Sequence, residues 1–351
     1  MAKLGRPKKN VDSEAGEPAS PFNLQNFVKN MAKDKPDAEI QLLGESDGAS
    51  SSFTVPWWIP SGLMGLDWVL GKGIPGGRII EVFSNNPSEG KSALCALFAG
   101  AIQKAEGVVL LIDTESGSLI DRMETLGVQT DNLIISQPDS MEQVFDVIHT
   151  FIEEVRKDGF AGPVAIIWDS VAATPTKSQI EATYDQNLYA PQARILSSGL
   201  RKLMPVLRDN NATLIAANQV RENIGVAFGE TKSTVGGMGL KFYAHTRLGL
   251  ARLSNIKNSN NEADGIEIQI TAKKNKLTRP FKKTVVNLLF KDGFDRLGSE
   301  FTYAVERGFI QENGKGYYSF STDLTKKFRE SAYAENRTDE FIEKLKASIA
   351  E

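Results

Sequence analysis

The chain has 351 residues, a formal net charge of −3, 41% hydrophobic residues and one cysteine. That length suits one large α/β domain with small appendages, and the charge excludes a uniformly basic nucleic-acid coat while leaving room for a local basic groove. A lone Cys95 excludes an internal disulfide and a thiolate zinc site, and with only His149 and His245 a histidine-dependent triad or poly-histidine metal site is poorly supported. A reducing cytoplasm fits this cysteine usage, and neither a membrane-spanning run nor a signal-type apolar segment is visible.

Residues 1–21 read as a disordered basic arm, with Gly5-Arg6-Pro7-Lys8-Lys9 near its start and Gly, Ser and Pro after it. Residues 22–52 read as a helix and linker. Phe22, Leu24, Phe27, Val28 and Met31 have loosely helical spacing, and a helix this short must dock on something to persist. A Ser/Gly-rich connector, 45–53, leads into the main region, 53–295.

There, Arg78–Phe83 is an apolar β-like run. It enters a polar loop and then a helical pattern from Ala93 to Gln103. The loop, Asn85-Asn86-Pro87-Ser88-Glu89-Gly90-Lys91-Ser92, has the strand–loop–helix setting of a phosphate-binding loop. Backbone N–H groups and the helix dipole favour an anion at the start of such a helix. Lys91 is placed to reach β- and γ-phosphates, and the Ser92 hydroxyl to ligate Mg²⁺. The first glycine of the usual pattern is replaced by Asn85. Asn tolerates a left-handed backbone, so the turn is expected to survive with its left-handed position there. An ordinary strand-to-helix turn with an exposed lysine is the competing reading of this fragment.

Three further apolar runs follow: Val108–Asp113, Val164–Asp169 and Thr213–Gln219. Their lack of alternation predicts strands covered on both faces. Helices are predicted between them. One has Val144, Ile148, Phe151, Ile152 and Val155 on one face, with Asp139 as its N-cap. The other covers Ala193–Arg208. Alternating strand and helix predicts an α/β fold around a mostly parallel sheet, with polar residues gathered at the strand C-termini. Asp169 then suits a Mg²⁺-shell aspartate, Glu115 a carboxylate that activates water, and Gln219 an amide facing the γ-phosphate. Arg247–Leu253, Ile266–Ala272 and Thr284–Phe290 predict an antiparallel extension. Residues 296–351 predict a small C-terminal α/β region ending in a helix with Phe341, Ile342, Leu345 and Ile349.

From about residue 36 onward the sequence resembles the RecA-family recombinases. The likeness is carried by Gly44-Glu45, Ile59-Pro60-Ser61-Gly62, Leu66-Asp67, Gly76-Gly77-Arg78-Ile79-Ile80-Glu81, Ile112-Asp113-Thr114-Glu115 and Ser136-Gln137-Pro138-Asp139. It continues in Asp169-Ser170-Val171-Ala172-Ala173, Asn218-Gln219-Val220-Arg221, Ile224-Gly225-Val226, Phe228-Gly229, Gly236-Gly237, Leu240-Lys241-Phe242-Tyr243-Ala244 and Lys274-Asn275-Lys276.

The resemblance implies a RecA-like phosphate-loop core, a short N-terminal helical arm and a small C-terminal α/β domain. It implies ATP and Mg²⁺ as cofactors and a filament on single-stranded DNA that pairs with duplex. DNA stimulates hydrolysis, and a single-strand-binding protein or recombination mediator is an implied partner. Lys91, Ser92, Ala93 and Asp169 then contact phosphate and metal, Glu115 activates water, and Gln219 senses the γ-phosphate. Lys274 and Lys276 reach an ATP held by the neighbouring protomer, and Phe242 lies at the subunit interface. Arg122 occupies the position expected to stack on adenine. Arg194, Arg201, Arg221, Gly236 and Gly237 line the DNA channel, Ile224 wedges between bases, and Tyr189 lies in the other channel loop, Glu181–Pro191. The compact chain suits a phage-encoded member. Two other readings use the same residues: a hexameric RecA-fold motor or helicase, and a non-catalytic DNA-binding scaffold with a degenerate phosphate loop.

Overall fold

A computed structural model describes residues 22–36, 40, 42, 54–117, 120–183, 191–222, 232–234 and 238–350. Tyr189, Ile224, Gly236 and Gly237 lie outside them, as do the basic arm and most of both channel loops; for Arg221 only the backbone is described.

The chain divides into two compact units, Met1–Thr54 and Val55–Glu351. The first contains α1 (Leu24–Asp34), N-capped by Asn23, whose side chain accepts from the Asn26 N–H. Phe22, Leu24, Phe27 and Met31 are exposed, as an unshielded amphipathic helix requires.

The second unit begins with β1 (Trp58–Ile59), α2 (Met64–Leu70) and β2 (Ile74–Pro75). It continues through β3 (Ile79–Ser84), α3 (Lys91–Lys104), β4 (Val108–Asp113), α4 (Ile120–Thr125), β5 (Leu133–Ser136), α5 (Met141–Lys157) and β6 (Val164–Asp169). Then come α6 (Lys177–Glu181), α7 (Pro191–Asp209), β7 (Ala212–Glu222), β8 (Lys232–Thr234), α8 (Met238–Tyr243), β9 (Thr246–Lys257), β10 (Ala263–Asn275), β11 (Lys283–Leu289) and β12 (Gly293–Phe294).

Among the described residues, the large sheet has the order β12-β11-β10-β9-β3-β7-β6-β4-β5. Pairing is parallel from β9 through β5 and antiparallel from β9 to β12. The unbroken apolar runs are explained by burial on both faces. Val109 and Leu111 pack with α3, while Leu110 and Ile112 pack with α5 and α7, as the two-residue period of a strand demands.

Helix α5 begins one residue later than Asp139 capping would place it. Ser140 is its N-cap, accepting from the Gln143 N–H, while Gln143 Oε1 accepts from the Ser140 N–H at 3.2 Å and the Asp139 N–H at 2.8 Å. This reciprocal capping box satisfies more orphan donors than Asp139 could alone.

The remaining chain forms α9 (Arg296–Glu306), a three-stranded sheet of β13 (Ile310–Glu312), β14 (Tyr318–Phe320) and β15 (Asp323–Phe328), then α10 (Tyr333–Asn336) and α11 (Asp339–Ile349). Its small aromatic core of Phe301, Tyr303, Phe328 and Tyr333 packs against Met64 and Trp68 of α2.

Candidate active site

The parallel strands β3, β4, β6 and β7 end on one edge of the sheet, and the polar residues predicted there converge. Lys91, Ser92, Ala93, Glu115, Asp169 and Gln219 share the lining of one cavity of about 400 Å³ with Pro87, Ser88, Gly90 and Arg122. A larger cavity, about 500 Å³, lies between Pro60, Gly62, α9 and α11. It has neither the ends of the parallel strands nor a phosphate-binding loop, so its size does not make it the reaction site.

The loop takes its shape from its own polar groups. The Lys91 ammonium reaches back to donate to Ser84 Oγ at 2.8 Å, and Ser84 Oγ donates to the Asn86 carbonyl at 2.7 Å. Glu89 is buried and accepts from the Asn86 N–H at 3.3 Å and from its side-chain amide at 2.8 Å. Asn85 through Ser88 face solvent at the mouth. The left-handed positions are Ser88 (φ 58°) and Gly90 (φ 89°), not Asn85. The turn therefore does not depend on replacing a glycine at 85 with a tolerant residue. It closes through Glu89 and Asn86, and its strained non-glycine position is Ser88. Gly90 caps α3 without a side chain, so no protein group occupies the helix start.

Asp169 lies opposite Asp113 in the β4–β6 register. Burial pushes its carboxyl above the usual carboxylate range; Glu115 and Asp113 push the same way, while a hydrogen bond from Ser92 and the charge of Lys91 oppose them. The like charges of Glu115 and Asp113 acting on Asp169 favour a cation beside it. Among the described residues no three His, Cys, Asp or Glu side chains form a closed metal cage. The hydroxyl–carboxylate pair Ser92–Asp169 fits Mg²⁺, which takes few protein ligands and completes its shell with water and phosphate oxygens.

Glu115 is fixed at the mouth. Its backbone N–H donates to Asp113 Oδ1 at 3.1 Å, and Ser170 Oγ donates to its Oε1. Ser170 follows Asp169 through a cis peptide, and its carbonyl accepts from Thr114 Oγ1 at 2.9 Å. Cys95, behind the loop on α3, is buried; burial raises its thiol pKa, as expected of a packing residue.

Three predicted groups lie apart. Lys274 is outside the pocket lining. Its ammonium donates to the Lys241 and Phe242 carbonyls, at 2.8 and 2.9 Å, at the end of α8. Lys276 is exposed at the end of the same strand pair. Arg194 and Arg201 lie seven residues apart on α7, both exposed, with Arg201 Nε 3.3 Å from the Tyr243 hydroxyl. Phe242 is 61% exposed.

The chain matches the model of the RecA N-terminal domain over residues 23–295. It is 35% identical over 333 residues to the Protein RecA of Mycoplasma mycoides, covering 93% of this chain and 92% of the relative. The Protein RecA of Thermus thermophilus is 32% identical over 329 residues, 93% of each chain, and that of Syntrophus aciditrophicus is 36% identical over 260 residues, 74% of each. The chain belongs to the RecA family. It is a DNA strand-exchange recombinase that hydrolyses ATP, and the motor and scaffold readings are not favoured.

Within this RecA-family site, several residues were not singled out from the sequence. Ile266, Leu288 and Phe290 form an apolar wall of the pocket. Phe290 is 47% exposed, and its carbonyl accepts from Arg122 Nη1 at 2.6 Å. The ring thus offers an aromatic face beside Arg122. Its signal, an aromatic closing the Thr284–Phe290 run, is indistinguishable in sequence from a strand residue facing the core. Ser84, between the apolar run and the loop, and Ser170, inside the Asp169–Ala173 motif, carry their roles only through contacts with Lys91 and Glu115.

Proposed function

We propose that the cavity binds Mg²⁺–ATP. Its phosphates lie at the start of α3 against Lys91 and its base against Phe290 and the Arg122 guanidinium. Bound Mg²⁺, held by Ser92 and Asp169, would neutralise charge on the phosphate oxygens. Asn85, Asn86, Pro87, Ser88, Glu89, Gly90 and Ala93 form the cradle. Lys91 balances the negative charge and gives up Ser84 to do so. Glu115, oriented by Ser170, accepts a proton from the attacking water. Gln219 donates its amide to the γ-phosphate.

One observation carries the coupling to DNA: Gln219 lines the pocket and belongs to β7, the strand that continues through Arg221 to Glu222. A change at the phosphate is thereby passed directly to the segment 220–235, read here as the loop that holds single-stranded DNA. Arg194, Arg201 and Arg221 hold its phosphates without reading sequence, with Gly236 and Gly237 alongside, Ile224 wedged between bases and Tyr189 stacked on one. Lys274 and Lys276 complete the ATP site of the next protomer, so filament assembly and hydrolysis depend on each other. Residues 22–52 supply a docking arm, 53–295 the catalytic core and 296–351 a small appended domain. Duplex DNA enters as the pairing partner.

Steady-state ATP hydrolysis with and without poly-dT tests this reading. Turnover should rise severalfold or more with DNA. Equal turnover across a full DNA titration would sink it.

A further inference from the structure

Gln219 is exposed at the pocket rim, yet its backbone is anchored in the sheet interior. Its N–H donates to Asn218 Oδ1 at 2.9 Å. The Asn218 amide donates to Glu81 Oε1 at 3.0 Å, and Arg247 Nε donates to Glu81 Oε2. These residues come from three adjacent strands, β7, β3 and β9. Glu81 and Asn218 are fully buried and Arg247 nearly so, its guanidinium 4.5 Å from the centroid of the Phe83 ring. Arg247 also lies opposite Lys274 in the β9–β10 register.

A buried ion pair is a weak source of stability, because desolvation offsets much of its attraction. On the same face of the sheet Ile79, Leu214 and Ala216 are buried in an apolar layer that the network interrupts. The polar network occurs where it fixes the backbone of the residue facing the phosphate. It also occurs where the strand bearing Lys274 is paired.

We propose that Glu81 is a positioning residue for DNA-stimulated ATP hydrolysis, holding Asn218 and through it the Gln219 backbone in register with the γ-phosphate. Glu81 touches neither nucleotide nor DNA. Both its oxygens are used, one to orient Asn218 and one to hold Arg247. With its amide nitrogen committed to Glu81, Asn218 turns its carbonyl oxygen to the Gln219 N–H. The inference rests on the assignment of Gln219 to the γ-phosphate.

The network makes a partner-exchange test possible. Glu81→Gln leaves one acceptor for two donors. Asn218→Asp sets a carboxylate against Glu81. Made together, the two changes restore the pairing with donor and acceptor exchanged and the total charge unchanged. The readouts are the ratio of poly-dT-stimulated to DNA-free kcat, and ATP affinity measured with a fluorescent ATP analogue.

Each single variant should lose about tenfold or more of the stimulation with less than about threefold change in affinity, and the combined variant should return to within about threefold of wild type. Singles that keep full stimulation overturn the proposal. So do singles in which stimulation and affinity fall together, because that marks a scaffold. If a single variant does not fold, the combined variant carries the test alone, and its failure to fold or to recover stimulation is equally fatal. Gln219→Ala run alongside separates two failures. If it keeps stimulation, the assignment of Gln219 is wrong. If it loses stimulation while Glu81→Gln does not, only the role of Glu81 is wrong.

Discussion

The two halves of the large sheet handle cations in opposite ways. At the parallel half, Lys91, Glu115 and Asp169 line one cavity, and Asp113 acts on the same Asp169 carboxyl. At the antiparallel half, Lys274 and Lys276 lie near Arg247 with few acids in reach, and Lys274 settles on two carbonyls. The first arrangement gathers one ammonium with several carboxyl groups of its own chain. The second is a cluster of positive charges in which Glu81 is paired with Arg247, an excess of cations that suits groups acting on another copy.

The sharpest way to break this contrast is Lys91→Ala. With no second lysine of its own chain lining the cavity among the described residues, turnover should fall by about 10³-fold, and a folded variant hydrolysing ATP at the wild-type rate would relocate the site. Glu115→Gln should lower hydrolysis by about 10²-fold while ATP binding, followed by a fluorescent analogue, persists. Lost binding in a folded variant would make Glu115 structural.

Lys274→Ala probes the other half. It should reduce DNA-stimulated turnover by about tenfold and leave ATP affinity of the free protomer within about threefold. The contrast fails if affinity in the free protomer collapses. A pH series refines the point. Burial, then Lys276 and Arg247, lower the Lys274 pKa to about 8, with Glu81 opposing. Its positive charge is therefore present below pH 8 and lost as pH rises through that value. Assembly on poly-dT, in which this ammonium meets the neighbour's phosphates, should weaken as pH rises above about 8 in wild type and weaken less in Lys274→Ala. The smallest effect is expected from Arg194→Ala, which should reduce the salt slope of single-strand binding by about one, equally on poly-dT and mixed sequence. An unchanged slope in anisotropy titrations would remove Arg194 from the DNA surface.

How much of this was legible in the sequence depended on how local the determinant was. Val108–Asp113 and Val164–Asp169 were bounded to the residue, because a doubly buried strand is an unbroken apolar run with an acid at its end. The first two extension strands were found but underestimated, while the third is only shifted by one residue, to Lys283–Leu289: Arg247–Leu253 extends to Thr246–Lys257, since its exposed half carries polar residues that resemble a loop. At the site, Lys91, Ser92, Asp169, Glu115 and Gln219 were readable from strand ends. The hydrogen bond of Ser170 to Glu115 was not, because it joins residues from two strands at a register that only folding sets. The same is true of Arg122 and the Phe290 carbonyl. The phosphate loop was legible as a loop but not in its mechanics. Asn85 drew attention as the missing glycine, whereas Glu89 and Asn86 close the turn and Ser88 bears its strain.

The position of Lys274 has a consequence in counting. If each copy lends this lysine to its neighbour, a row of n copies has one complete site per junction, which is n − 1. One terminal copy then always holds a nucleotide it cannot process. The two ends of such a row are chemically unlike although every copy is the same. Growth and loss would acquire a direction from arithmetic, with no element of the chain devoted to marking an end.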